Sequence, residues 1–146
     1  MKPHPWLDRA LMYCSSHYTL CLTEDAFKRV LRHLSVTPEE TPPFVLNWHS
    51  NATTHHFEHR DDNKKSAVIC VRGWEDKTGV QIACLLVHEA VHIWQEHCLD
   101  IGEHKPGAEQ EAYAIQNIAQ ALMESYAEAA MGFPIGWTDL NHSETP

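Results

Sequence analysis

A helix that is apolar nearly all the way round, yet carries two imidazoles and a carboxylate, leaves a chain few choices. Residues 80–97, V-Q-I-A-C-L-L-V-H-E-A-V-H-I-W-Q-E-H, read as that helix. Ile82, Ala83, Leu85, Leu86, Val87, Ala90, Val91, Ile93 and Trp94 surround its axis, the pattern of a buried element. His88, Glu89 and His92 then need partners, because a polar group buried without one costs about 2–7 kcal/mol. The H-E-x-x-H spacing makes a metal the economical explanation. His88 and His92 project from one face and can bind one Zn²⁺, while Glu89 stands beside the metal-bound water as a general base.

The motif alone decides little. With 12 His and 13 Glu among 146 residues, a shuffled chain contains it about one time in ten. A third ligand at a workable distance is what separates a metal site from coincidence. The length fits a single domain, 1–146, with a substantial core. A net charge of −9, with no basic run longer than Lys64-Lys65, argues against a nucleic-acid partner. Five cysteines form no C-x-x-C pair, and an odd number cannot all pair within one chain. Cys70 and Cys84 lie in apolar runs and are expected to be buried and reduced, which favours the cytoplasm. Met1-Lys2-Pro3-His4-Pro5-Trp6 shows no signal peptide, and the apolar run 83–87 is far too short to span a membrane.

Elements follow from periodicity and punctuation. N-terminal helices are expected within 6–34. The first carries Trp6, Leu7, Ala10, Leu11 and Cys14 on one face over 6–17; the second is capped by Thr23 with a stripe of Phe27, Val30, Leu31 and Leu34. Pro38, Pro42 and Pro43 make 35–43 a loop. A sheet region spans 44–72, with strands expected at 44–48 and 66–71 and a polar turn at 60–65. Between them 49–59 carries His49, His55, His56 and His59, a conceivable second metal site that fits better as a solvated hairpin or substrate-facing loop. The metal-site helix spans 80–97, and a loop 99–107 leads to a long helix 108–131, stopped by Gly132 and Pro134. The tail 133–146 offers Phe133, Ile135 and Trp137 as anchors.

The last helix carries the third-ligand candidate. Its apolar stripe runs Ala108, Ala112, Ile115, Ile118, Ala119, Leu122 and Tyr126, and Glu111 falls inside it. A carboxylate on a core-facing stripe calls for a cation or a hydrogen-bond donor. Nineteen residues separate it from His92, enough for a helix to end, a loop to turn and a second helix to present it.

His88-Glu89-Ala90-Val91-His92, followed by Pro106-Gly107-Ala108-Glu109-Gln110-Glu111-Ala112, resembles the gluzincins, zinc peptidases in which a glutamate from a following helix joins the H-E-x-x-H pair. The Glu111–Ala114 portion, E-A-Y-A, is also similar to small ImmA-type intracellular peptidases. The resemblance implies His88, His92 and Glu111 as ligands and Glu89 as catalytic base. It covers residues 80–122, and it departs from thermolysin-type enzymes at Ile115, where they have an aspartate. His104 is the rival third ligand, placed as in SprT-type zinc proteases but followed by Lys105 where they have glycine. A metzincin set fails, since Gln95 and Cys98 stand where glycine and histidine are required.

The expectation is therefore an α+β, zincin-like domain binding one Zn²⁺ per chain and hydrolysing a peptide or protein substrate. Glu89 would move the proton, and Tyr113, Tyr126, His97 or His104 would supply a further donor to the developing oxyanion. An edge strand within 66–71 would offer strand addition to an extended peptide. The resemblance also suggests an enzyme carried by a phage or mobile element. The competing classes are a non-catalytic, zinc-stabilised protein-binding module and a helical interaction protein with a chance motif. Oligomeric state is not readable from the sequence.

Overall fold

Ser66 through Val71 are all buried, so this strand must be covered on both faces and both edges. The computed structural model, which describes residues 16–132, is built around that requirement. In chain order the elements are β1 (Ser16–Cys21), α1 (Glu24–His33), β2 (Ala52–Glu58), β3 (Lys65–Val71), α2 (Gly79–Ile101) and α3 (Ala108–Met131). The sheet order is β1-β3-β2, with β1 parallel and β2 antiparallel to β3. The fold is α+β.

Alternation along the strands divides the core in two. Ala67, Ile69 and Val71 of β3, with Tyr18 and Leu20 of β1, face Leu86, Ala90, Ile93 and Trp94 of α2 and Ala114, Ile118 and Leu122 of α3. Val68 and Cys70, with Cys21, face Phe27, Val30 and Leu31 of α1 on the other side. α1 begins where Thr23 Oγ1 accepts from the Ala26 N–H, with Glu24 and Asp25 in its first turn. α3 ends at Gly132, whose φ of 73° is the left-handed cap that glycine adopts without strain.

Several expectations need correction. Residues 16–21 form β1 and not the end of a helix, because Tyr18 and Leu20 alternate with Thr19 and Cys21 into two different cores; the expected helix over 6–15 and the tail 133–146 lie outside the described residues. Residues 44–48 are bends, not a strand: the available edge of β3 is taken instead by 52–58, from the stretch expected to be a loop. β3 is consequently the central strand, and the edges are β1 and β2. α2 is longer than 80–97: a capping box between Thr78 and Gln81 starts it, and Gly102 at φ 70° stops it. Nor is α2 buried all round, for Val80 (74 % exposed), Val87 and Cys84 face outward.

Candidate metal centre

α2 crosses one face of the sheet beneath β2, and the functional side chains sit where the two meet. His88 and His92 lie one turn apart and bring their Nε2 atoms to 3.0 Å, with the ring planes at 82°. His92 Nδ1 lies 3.2 Å from Gln95 Oε1. A carbonyl oxygen only accepts, so Nδ1 carries the proton and the Nε2 lone pair is presented to His88. A proton on His88 Nε2 completes that contact as a hydrogen bond. Two nitrogens held about 2.0–2.1 Å from one tetrahedral zinc stand roughly 3.3 Å apart, so the arrangement also fits a shared cation, with Gln95 fixing the tautomer.

Glu89 lies about 100° further round the helix and is 4 % exposed. Its Oε2 accepts a hydrogen bond from Thr54 Oγ1, across from β2. A cleft of about 450 Å³ separates strand from helix, walled by Ser50, Ala52, Thr54 and His56 on one side and by His88, Glu89, His92 and Glu96 on the other. Thr54 and His56 share the cleft face of β2, while His55 points the opposite way, stacked on Phe27 with its Nε2 3.0 Å from the Phe44 carbonyl. Partial burial holds the His56 imidazole below its ordinary value, while Glu96 and then Asp100 pull it upward. At the far end Lys65 pairs with Asp100, tying the last turns of α2 to β3; that hydrogen bond raises the lysine above its usual range.

The other sequence candidates stand elsewhere. Glu111 is half-buried between α3 and α2, where its Oε2 accepts from Trp94 Nε1 at 2.9 Å. Near it Cys98 is buried; desolvation first, then the charge of Glu111, raises its thiol. His104 is exposed in the loop after α2. Tyr113 is exposed on α3, and Tyr126 packs edge-on against Trp74. His97 lies on the opposite side of α2 from His88, buried against the Trp94 ring. None of these five lines the cleft, and among the described residues no three His, Cys, Asp or Glu side chains stand ready as a metal-holding group. His88 and His92 bring two ring nitrogens together. Of the cleft residues, sequence reasoning gave Thr54 no role and placed His56 only in a conceivable second metal site or substrate-facing loop. The signal was the alternation in Thr53-Thr54-His55-His56, which places Thr54 and His56 on one face once 52–58 is taken as a strand.

Comparison with protein-family models, curated proteins and solved structures returns no match.

Two expectations follow. Trp94→Phe and Glu111→Ala, measured singly and together by urea denaturation in chelator, should show a coupling of about 1–2 kcal/mol, the value of a hydrogen bond to a charged acceptor; additivity of the two would contradict it. His97 has a buried Nδ1 with no hydrogen-bond partner among the described residues, and burial lowers its protonation. The unfolded chain therefore binds that proton more readily, and stability should fall as pH drops below about 6.5 and recover above it. His97→Phe should flatten that part of the pH–stability curve.

Proposed function

We propose that this chain is a zinc-dependent peptidase, and the observation that carries the reading is Glu89. It is a buried carboxylate beside two converging imidazoles, opening on a cleft. His88 and His92 would hold one zinc ion per chain. Glu111 is the proposed third ligand, with one of its oxygens engaged by Trp94, and His104 is its rival. When bound, the ion would polarise a scissile carbonyl and make a water more acidic. The chain's own groups do the rest. Gln95 sets the His92 tautomer, Glu89 takes the proton from the attacking water, and the same carboxyl hands it to the departing amine. The proposed oxyanion donors Tyr113, Tyr126, His97 and His104 all stand outside the cleft, so a substrate would have to bring one of them to it.

The substrate would be a peptide or protein segment. β2 is an edge strand that walls the cleft on the side facing α2, so an extended chain laid along it would pass over Glu89. No helix among the described residues is long and apolar enough to cross a membrane; a cytoplasmic setting is part of the proposal. The alternative, a non-catalytic zinc-stabilised binding module, draws on the Thr54 hydrogen bond, which gives Glu89 a structural partner of its own.

Metal analysis of the purified protein should find one zinc per chain, abolished in His88→Ala/His92→Ala and weakened more by Glu111→Ala than by His104→Ala. Glu89→Gln should keep zinc and fold but lose two to four orders of magnitude of cleavage against a mass-spectrometric peptide library, roughly the scale of general-base catalysis. A zinc-loaded wild type that cleaves nothing would favour the binding module.

A further inference from the structure

Glutamate has three rotatable side-chain bonds, and a base must be held within about 0.5 Å of its working position to be effective. Something other than α2 has to fix the Glu89 carboxylate. We propose that Thr54 is its positioning residue, pinning Oε2 so that Oε1 is the oxygen offered to a water in the cleft; this rests on the peptidase reading above.

Three features support the assignment. Thr54 Oγ1 donates to Oε2 from an element 35 residues away in sequence, so the contact does not move with the helix. The donor is stiff: threonine is branched at Cβ, and its backbone is paired to Ile69 of the fully buried central strand. Finally, Oε1 receives no hydrogen bond among the described residues, while Glu89 itself lines the cleft. A threonine that merely satisfied a buried carboxylate would leave the choice of reacting oxygen open. Here one oxygen is taken and the other is not.

The test uses full-length, zinc-loaded protein, a fluorogenic peptide taken from the library screen, and acetohydroxamic acid as a zinc-directed probe that hydrogen-bonds to the neighbouring base. Thr54→Val should retain zinc and KM within about twofold but lower kcat about 10- to 100-fold, while Thr54→Ser restores it. Acetohydroxamic acid should bind Thr54→Val about tenfold more weakly than wild type, the effect of one misplaced charge-assisted hydrogen bond. In a Glu89→Gln background Thr54→Val should add no further loss, because residues acting as one unit are not additive. If Thr54→Val does not fold, Thr54→Ala takes its place. Unchanged kcat in a destabilised Thr54→Val, or failure of Thr54→Ser to rescue, overturns the proposal while leaving the peptidase intact. A wild type that neither binds zinc nor cleaves overturns both, and is recognised before any variant is made.

Discussion

A strand dry on both faces and occupied on both edges governs everything else in this molecule. Because Ser66 to Val71 cannot meet water, β1 and β2 must close the edges, α1 must cover one face and α2 with α3 the other. α2 is therefore not placed by its histidines. It is placed by Ile82, Leu86, Ala90, Ile93 and Trp94 burying themselves against Ile69, Val71 and their neighbours. Once that face is committed, the 100° step per residue sends His88 and His92 outward and leaves Glu89 at the boundary under β2.

That boundary position divides the chemistry. The two imidazoles are exposed, where exchange of a proton or a cation is cheap, and the carboxylate is buried, where it is stiff and partly desolvated. Glu96 and then Asp100 place negative charge near His56, which favours a positive charge on that imidazole against the cost of its burial. Glu89 is spared an unsatisfied burial by a hydroxyl from another element, which is a weaker and more easily rearranged partner than an arginine or lysine would be.

The long apolar periodicities were readable from sequence, and so was the strand rich in β-branched residues: α2, α3 and β3 lie close to where their patterns place them, with Gly132 ending α3 as expected. β1 and β2 were not readable, for different reasons. β1 is too short to outweigh a helical stripe read just before it. β2 is polar on its cleft face and holds a buried histidine on the other, so its alternation does not look like hydrophobic alternation. At the site, His88, Glu89 and His92 announce themselves by spacing. Thr54 does not, because its role comes from a strand pairing 35 residues away from Glu89. The stripe position of Glu111 calls for a cation, with a hydrogen-bond donor as the alternative; in the fold one of its oxygens accepts from the Trp94 indole N–H.

The parallel pairing of β1 with β3 has a kinetic side. β2 and β3 are joined by a short turn in which His59 N donates to the Lys64 carbonyl, and α2 and α3 by another short loop, so both hairpins can close locally. Ser16 pairs with Lys65, a closure that spans α1 and β2 and is slower to find. The His88–His92 pair belongs to a single helix and exists as soon as that helix does. The grip of Thr54 on Glu89 exists only after the strand hairpin and the helical hairpin have docked. A nascent chain can thus bring the two imidazoles together before the Glu89 carboxylate is gripped, and the contact between the two hairpins is what fixes that carboxylate.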